Sequence, residues 1–488
     1  MEADADTDDP FADLESGFLG DIVRPGDADY DDARSVWNGM IDKRPAVIAR
    51  CRDVADVVAA VEFASDADML VAVRGGGHNA AGLGTCDDGI VIDCSPMHWV
   101  DVDPDSRRVR VGAGATWRDV DHATQAFGLA VPGGVVSHTG VAGLTLGGGY
   151  GHLRRTYGLT CDNLVSVDLV TADGRFLTAS EDENPELFWG LRGGGGAFGV
   201  VTAFEFEAHP IGTELATVET WHPIEDATAA FETWRDFVEN APHEVSGEAI
   251  VWGIPEDPHF PEEFHNEPVA IITSVYAGDP AEGEEVLRPL REFGDPLFDF
   301  SGRTPYLTLQ TGFDPFFPAG EHRYYQGSVY LDALDDGTIA DIVERERSRP
   351  DPRILYYVWN LGGAIADVPE HATAFGGREH PYLLAIDCKW DDPDADEAVL
   401  DWARSFKRDV QPDATGEGYR NFPGTGEDED LGPRPESSSE SRLESRRDET
   451  IARLVELKDR YDPTNLFGHN HAVTPSQSTL ADGGDSDA

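Results

Sequence analysis

Glycine clusters beside a histidine are the part of this sequence whose residue types could do chemistry. The three clusters read RGGGHN at 74–79, GGVVSHTGVAGLTLGGGYG at 133–151 and RGGGGAFG at 192–199. Glycines let backbone amides approach an anion, which is the general device for holding phosphate groups. One cluster alone is often only a turn, but three beside strand-like segments predict a large ligand that contains phosphate. From the residues alone, His78 is either a nucleophile facing that ligand or a loop histidine bonded to the backbone.

Two familiar nucleotide-binding motifs do not fit these clusters. Gly194, Gly196 and Gly199 satisfy the G-x-G-x-x-G spacing, but the segment that follows, VVTAFEFEAHP, has the pattern of a strand. A Rossmann dinucleotide site needs a helix at that place. A P-loop is also excluded, because the sequence contains no G-K-[ST].

The segments around the clusters predict the elements that position them. Residues 54–67 (VADVVAAVEFASDA) have the apolar spacing of a helix, and residues 69–76 (MLVAVRGG) are typical of a strand that ends in a glycine loop. Two alternating segments predict hairpins that turn at DPDS and ADG. Together these patterns predict a mixed α+β unit over 41–212.

The rest of the chain divides into a second domain and two ends. At 213–410 the glycine clusters thin out, and EPVAIITSVYAG, RYYQGSVYLDAL and PYLLAIDCKW predict the strands of a second α+β domain. Residues 411–475 include an amphipathic helical pattern that ends at a turn, Asp462-Pro463. Residues 1–40 are predicted to form an acidic N-terminal arm, and 476–488 a disordered tail.

The excess of acidic residues indicates the salt concentration of the cell and not a particular reaction. The 488 residues include 93 Asp and Glu against 37 Lys and Arg, for a net charge of -56, and lysine occurs at only four positions. An acidic surface could bind a cationic partner, but such patches are usually local, whereas this acid is spread from end to end. Adaptation to molar intracellular salt, which screens self-repulsion, is the favoured interpretation. The absence of a basic stripe argues against nucleic acid as a partner.

Cysteine usage and hydropathy predict a cytoplasmic protein without a membrane partner. The five cysteines are scattered and form no CxxC, which favours buried thiols in a reducing compartment and predicts no metal site. The sequence has neither a signal-peptide pattern nor an apolar run of membrane length.

Several long motifs, in order, resemble one known group of proteins. Residues 41–212 are similar to the FAD-binding domain of the vanillyl-alcohol oxidase and p-cresol methylhydroxylase (PCMH-type) superfamily, above all its berberine-bridge-enzyme-like family of FAD-linked oxidases. The resemblance covers most of 25–475 and implies an α+β fold: a two-part FAD-binding domain, a substrate domain with an antiparallel sheet, and a C-terminal segment that returns to the FAD domain. The matching stretches are RPAVIARCRDVADVVAAVEFA, RGGGHN, SHTGVAGLTLGGGYGHLRRTYGLTCDNL, RGGGGAFGVVTAFEF and ELKDRYDPTNLFGHN.

The resemblance implies FAD as the cofactor, joined covalently through its 8α-methyl group to His78. Many plant members have a second link from a cysteine, but Val136 occupies that place here, so a single link is expected. Two further departures are Ala197, where the family often has Asn, and NHAV in the closing motif. The other implied FAD-binding residues are Arg74, Gly75, Gly76, Gly77, Asn79, Gly134, Thr139, Gly140, Gly143, Leu144, Gly147, Gly148, Gly149, Asp162, Asn163, Gly199, Val201 and Asn470.

The resemblance also implies an oxidase. Such a flavin takes a hydride from a C–OH or C–NH carbon of a small organic substrate and passes the electrons to O2. A dehydrogenase that uses a quinone or a protein acceptor is the alternative. A flavin-binding module without turnover is less compatible with His78 and three complete glycine clusters. Sugars, secondary alcohols and cyclic amines all stay open as substrates.

The catalytic base is expected from the second domain or from the returning segment. Tyr419 lies in GYRNF, which resembles the family's Tyr-x-Asn motif, although a core tyrosine would fit the same pattern. Tyr324 and Tyr325 lie on one predicted strand, and one of them is expected to line the pocket. The plant enzymes' acidic base corresponds to Ala372, so their mechanism does not transfer. His138 is expected to shape its loop and not to transfer protons.

Overall fold

A computed structural model describes residues 10–410, 418–424, 440–470 and 473–476, apart from the side chains of 440–446 and 470. Residues 10–212 form short helices, two larger sheets and one two-stranded sheet. The elements, in chain order, are α1 (Ala12–Glu15), β1 (Asp21–Val23), α2 (Tyr30–Arg34), β2 (Val47–Arg50), α3 (Val54–Asp66), β3 (Val71–Arg74), β4 (Ile90–Asp93), β5 (Val100–Asp103), β6 (Arg108–Gly112), α4 (Trp117–Gln125), β7 (Leu129–Ala130), α5 (Val141–Leu146), α6 (Arg154–Tyr157), β8 (Leu164–Val170), β9 (Phe176–Ser180), α7 (Pro185–Leu191), β10 (Val200–Glu207) and β11 (His209–Pro210).

The two larger sheets of this first domain differ in strand direction, and β7 pairs with β11 in a small antiparallel sheet of its own. One has the order β1-β2-β4-β3, with β2 and β3 each parallel to β4. The other is antiparallel, with the order β5-β6-β10-β8-β9. The third glycine cluster runs directly into strand β10, as the sequence predicted, so the G-x-G-x-x-G spacing there does not open a helix.

Local sequence signals start the helices that frame the clusters. The Asp53 carboxylate accepts hydrogen bonds from the backbone N–H groups of Ala55 and Asp56, which caps α3. Thr116 and Asp119 form a capping box at the start of α4. These caps satisfy amides that would otherwise have no partner, and they fix where each helix begins.

The second domain is built on one large antiparallel sheet. Its elements, in chain order, are β12 (Glu214–Pro223), α8 (Ala227–Val238), β13 (Val245–Gly253), β14 (Pro268–Tyr276), α9 (Pro280–Arg291), β15 (Phe298–Asp299), β16 (Gly302–Pro305), α10 (Tyr306–Gln310), β17 (Arg323–Leu331), α11 (Asp336–Glu344), β18 (Leu355–Asn360), α12 (Ala364–Asp367), β19 (Tyr382–Trp390) and α13 (Asp396–Asp409). The strand order of the sheet is β15-β12-β14-β13-β18-β19-β17, with β16 beside β12. The mixed α+β fold with antiparallel sheets, expected from the sequence, is confirmed.

The two faces of this sheet have different neighbours. Because side chains alternate along a strand, every second residue points to the same face. On β18, Tyr356 and Val358 pack into the core that helices α8, α9, α11 and α13 form on one side. Tyr357 and Trp359 point to the opposite face and belong to the core shared with the first domain. The strands are therefore buried on both sides, and their second face looks toward the glycine clusters.

Both ends of the described chain pack on the first domain. The predicted acidic arm contributes β1, which pairs with β2, and its Trp37 is 2% exposed. At the other end, helix α14 (Glu440–Tyr461) contacts α7, and Lys458 donates to the carbonyl of Ala197 and to Asp462. None of the helices in the described part of the chain has the length and apolar character that crossing a membrane requires.

Candidate active site

A cavity of ≈ 1210 Å³ separates the glycine clusters from the large sheet of the second domain. It is larger than the usual site for a drug-sized ligand, so it has room for a dinucleotide-sized molecule and a second, smaller one. All three glycine clusters contribute to its wall. The predicted FAD-binding residues that line it are Arg74, Gly75, Gly76, Gly77, His78, Asn79, Gly134, Thr139, Gly140, Gly143, Leu144, Gly147, Gly199 and Val201.

The backbones of the first two clusters touch each other. A Cβ atom on Gly76 would lie 2.5 Å from the Cα of Gly140, and one on Gly140 would lie 2.4 Å from the N of Gly76. Gly143 differs, because a Cβ atom there would meet nothing within 4 Å and would point into open space. Glycine is therefore needed at the first two positions for backbone packing, and Gly143 leaves free room beside the cavity. This glycine-lined backbone wall is a cradle that fits a large phosphate-containing group.

Four of the other predicted FAD-binding residues do not line the cavity, and one of them joins the two domains. Gly148, Gly149, Asp162 and Asn163 are not among the residues that line the cavity, and the side chain of Asn470 lies outside the described ones. Asp162 forms a buried two-bond ion pair with Arg378 of the second domain, at 2.6 and 2.9 Å.

Asn163 and Arg74 also have protein partners. The Asn163 amide donates to the carbonyls of Tyr157 and Leu159. Arg74 lines the cavity, but its guanidinium pairs with Asp93 at 2.8 Å. For these two side chains the contacts describe a structural role.

His78 lies in the cavity wall and is held from two sides. The indole of Trp37 stacks on its imidazole, with ring centroids 4.3 Å apart and planes 16° from parallel. Its Nε2 lies 3.1 Å from Nδ1 of His138 in the second cluster. Burial, with a smaller contribution from His138, lowers the pKa of His78 to about 3. The imidazole is therefore neutral at pH 7, which is the form that can act as a nucleophile.

Of the three candidate tyrosines, only Tyr419 lines the cavity. Its hydroxyl oxygen accepts hydrogen bonds from the backbone N–H of Gly149 at 3.0 Å and from the amide of Asn421 at 2.7 Å. Burial raises its pKa, and the two donors oppose that shift. The tyrosine of GYRNF is thus in contact with the second glycine cluster.

Tyr324 and Tyr325 are not among the lining residues. Tyr324 stacks on Trp37 with centroids 3.8 Å apart, and its hydroxyl donates to the carbonyl of Pro318. Tyr325 points to the opposite face of β17, into the core beneath the helices. Alternate residues of the same strand, Gln326, Ser328 and Tyr330, line the cavity instead.

Sequence reasoning missed a buried carboxyl, Asp387, in the middle of β19. It lines the cavity, where Tyr357 Oη donates to its Oδ2 at 3.2 Å. Its Oδ1 is buried without a close hydrogen bond, and the Gln326 side chain, its neighbour on β17, lies near enough to lower the pKa of the carboxyl. Burial raises the pKa of Asp387 from 3.8 to about 7. An acid in an otherwise apolar strand, LLAIDCKW, was the signal that could have identified it.

Two more carboxyls line the same cavity. Glu248 on β13 is buried, which raises its pKa, while the nearby Arg154 guanidinium partly offsets that effect. Glu370 accepts a hydrogen bond from the backbone N–H of Gly377, and burial raises its pKa as well. Ala372, the position of the plant enzymes' base, is therefore two residues from an acid that does reach the cavity.

Aromatic rings surround Tyr150 of the second cluster in the cavity wall. Tyr150 packs edge-on against Tyr419, Trp359 and Phe375, with centroids 4.7, 5.7 and 5.9 Å apart. Its hydroxyl lies 3.3 Å from that of Tyr330. Such apolar rings lower the local dielectric and so strengthen electrostatic interactions near them.

Two family models match the chain. The "FAD binding domain" matches residues 45–180, and "Berberine and berberine like" matches residues 449–474. These ranges hold the first two glycine clusters and the end of helix α14. They agree with the domain type and with the returning segment that the motifs indicated.

Known proteins are similar over most or part of the chain. An FAD-linked oxidoreductase of Pyricularia oryzae is 30% identical over 444 residues, which cover 86% of this chain and 82% of that protein. The (R)-6-hydroxynicotine oxidase of Paenarthrobacter nicotinovorans is 40% identical over 203 residues, or 41% of this chain and 44% of that protein. Among solved structures, a chitooligosaccharide oxidase superposes with a TM-score of 0.80 at 21% identity, over 96% of this chain and 99% of that one.

Proposed function

Because this chain belongs to the berberine-bridge-like family of FAD-linked oxidoreductases, we propose that it is an oxidase whose FAD is joined covalently to His78. When bound, FAD supplies the acceptor for a hydride from a C–OH or C–NH carbon of a small organic substrate, and O2 takes the electrons afterwards. The glycine backbones of the three clusters would hold the phosphate groups, and His78 would tether the ring system. A cytoplasmic location and a halophilic source stay predictions from composition.

The observation that carries the proposal is that one cavity brings His78 and the glycine clusters to a buried carboxyl. Asp387 lines the wall, its Oδ1 makes no close hydrogen bond, and burial raises its pKa to about 7 against the opposing effect of Tyr357 and Gln326. A group with such a pKa is suited to act as a general base at neutral pH. We therefore assign Asp387 as the group that removes the substrate's O–H or N–H proton, with Tyr357 holding Oδ2 in place.

Tyr419 takes a different role from the one its motif suggests. Its hydroxyl oxygen already accepts from Gly149 and Asn421, and burial raises its pKa. A neutral tyrosine at this position donates its own proton to a substrate oxygen or nitrogen and so orients the substrate. Tyr150 packs edge-on against Tyr419, and Trp359 and Phe375 pack against Tyr150, so the surroundings of Tyr419 are aromatic.

The names of two similar proteins suggest two classes of substrate. One relative oxidises a nicotine derivative, and one structural neighbour oxidises a carbohydrate. Both carry a hydrogen on a carbon next to N or O, which fits a base that takes the neighbouring proton. Sugars, secondary alcohols and cyclic amines are therefore the compounds to test.

The experiment is anaerobic reduction followed by exposure to air. The full-length protein is mixed with each class of compound in molar KCl, and loss of the oxidised flavin absorbance is recorded. We expect at least one class to bleach the flavin, and air to restore the colour within the mixing time while hydrogen peroxide forms. Slow recovery in air with fast recovery on adding a quinone would instead identify a dehydrogenase. A protein that binds no flavin would contradict the proposal outright.

A further inference from the structure

A second histidine faces the proposed attachment residue across the cavity wall. Nδ1 of His138 lies 3.1 Å from Nε2 of His78, within hydrogen-bond distance, and the ring centroids are 5.0 Å apart. His138 comes from the second glycine cluster and His78 from the first. The sequence predicted that His138 only shapes its loop, but this contact places it directly on the imidazole that is proposed to bind FAD.

One face of the His78 ring is also held in place, by Trp37. Trp37 stacks on the imidazole and, on its other side, on Tyr324, while its Nε1 donates to the carbonyl of Phe317 at 2.9 Å. Asn38, next in the chain, donates to the carbonyls of Ala80 and Tyr324. The ring is therefore held between a flat indole and one hydrogen bond, and it cannot turn without breaking one of these contacts.

The hydrogen bond to His138 gives the two ring nitrogens of His78 different roles. A neutral imidazole carries one N–H donor and one lone pair. If the proton of His78 is on Nε2, it points at His138, and Nδ1 keeps the lone pair that a nucleophile needs. Without a partner at Nε2, either nitrogen could hold the proton, and the reactive form would be less populated.

We propose that His138 is the positioning residue for flavin attachment: it orients His78 through Nε2 and accepts the Nε2 proton as Nδ1 forms the covalent bond. This inference rests on the proposed function, since it concerns how FAD becomes attached. His138 acts through His78 and needs no contact with the substrate.

The step balances with O2 as the oxidant. His78 Nδ1 gains a bond to the 8α-methyl carbon, and one C–H bond of that methyl group and the Nε2–H bond of His78 are broken. The two protons leave, one of them through His138, and Nε2 carries the lone pair in the product. The two electrons pass to O2, which becomes hydrogen peroxide, so no other reagent is required.

The surroundings of His138 keep it able to accept a proton. It is partly buried, which lowers its pKa, and the neighbouring Arg118 and Asp314 act in opposite directions on it. Asp314 also accepts from the N–H and the hydroxyl of Ser137 and pairs with Arg118, so its charge is shared. With His78, these are the ionisable groups that face His138. At acid pH His138 takes a proton from solvent and can no longer accept one from His78.

The test measures attachment and reversible binding separately. Full-length protein produced with little riboflavin is incubated with FAD in air and molar KCl over a range of pH. Samples are precipitated with acid at intervals, and the flavin that stays with the polypeptide is measured by fluorescence. Bound flavin before precipitation reports reversible binding. The variants are His138→Ala, His138→Asn and, as a matched control, His122→Ala at an exposed position of α4.

The His138 variants should attach flavin slowly and keep reversible FAD binding, which distinguishes a loss of proton transfer from a loss of folding. His138→Ala binds FAD reversibly but attaches it about 100-fold more slowly at neutral pH, in the range of a lost general base. His138→Asn can still accept the hydrogen bond but not the proton, so its attachment rate is low and no longer rises with pH. Added imidazole partly restores the rate of His138→Ala. His122→Ala behaves as the unaltered protein.

Two results would overturn the inference. If His138→Asn, or His138→Ala wherever it binds FAD, attaches flavin at the unaltered rate and with the same pH dependence, His138 has no part in the step. If the unaltered protein binds FAD but never attaches it, the covalent link of the proposed function fails, and this inference fails with it. A normal link in the unaltered protein together with unchanged variants contradicts only the role of His138.

Discussion

Replacing Asp387 by Asn should stabilise the protein at alkaline pH while it slows flavin reduction. Burial raises the pKa of this carboxyl from 3.8 to about 7, so the folded protein holds its proton over a range where the unfolded chain has lost it. A shift of about three units corresponds to about 4 kcal/mol. The carboxyl's contribution is fully present below pH 3.8 and is lost as the pH rises through about 7.

The size of the effect can be read from the pH window. Between pH 5.5 and 8.5 the folded protein loses about 2 kcal/mol of unfolding free energy to this group. Asp387→Asn cannot ionise, so its advantage over the unaltered protein should grow by that amount across the window. Denaturant unfolding at a series of pH values in molar KCl measures it. Glu219→Gln is a matched control, because Glu219 is a half-buried acid with a raised pKa that does not line the cavity.

Kinetics gives the second half of the same test. With a compound that reduces the flavin, the reduction rate of the unaltered protein should rise with pH through about 7, as Asp387 becomes the base. Asp387→Asn should be slower by about 10²–10⁴-fold and independent of pH in this range. Glu219→Gln should gain stability at alkaline pH but keep the rate. A variant Asp387→Asn with the original rate and pH profile would refute the assignment of the base.

Three further predictions concern the cavity, the C-terminal helix and the surface. Gly143→Ala should leave the thermal midpoint unchanged but weaken FAD binding, because its new methyl group points into space where nothing lies within 4 Å; flavin titration of the apoprotein measures this, and unchanged affinity would contradict the placement of FAD. Lys458→Met should cost about 3–5 kcal/mol in denaturant unfolding, because it leaves the buried Asp462 carboxylate without its cation and with uncharged donors such as the N–H groups of Leu466 and Phe467. Arg288→Met, which breaks an exposed pair with Glu285 on α9, should cost no more than about 1 kcal/mol, and equal losses would contradict this difference. The thermal midpoint should rise with KCl into the molar range, where the Debye length falls to about 3 Å, and a flat or falling midpoint would revive the idea of a cationic partner.

The sequence allowed good predictions where one pattern determines one element. RYYQGSVYLDAL and PYLLAIDCKW predicted strands that the structure contains as β17 and β19, and the segment after the third glycine cluster is the strand β10. The glycine clusters could be assigned to one ligand, because turns alone do not require three such clusters beside strands of one domain. The family model that matches residues 45–180 supports FAD as that ligand.

The sequence did not predict which face of a buried strand meets the cavity, nor the contacts between residues that are far apart in the chain. Alternation separates Tyr324 from Tyr325, but both sides of β17 are buried, so hydropathy does not tell which side faces the cavity. For the same reason Asp387 was overlooked within a strand that reads as apolar throughout. The stacking of Trp37 on His78 joins residues 41 positions apart, and no local pattern encodes it. An acidic N-terminal composition concealed that the segment before residue 40 supports the site.

The mass of the denatured protein shows whether FAD is covalently attached to His78. We expect the 488-residue chain, after acid precipitation, to stay yellow and to be heavier than its sequence by one FAD less two hydrogens, with the flavin on a peptide that contains His78. His78→Ala should lose the attached flavin and keep some reversible binding through the glycine clusters. A denatured chain at the mass of its sequence, with all flavin in the supernatant, would contradict the account, as would flavin attached to a peptide without His78.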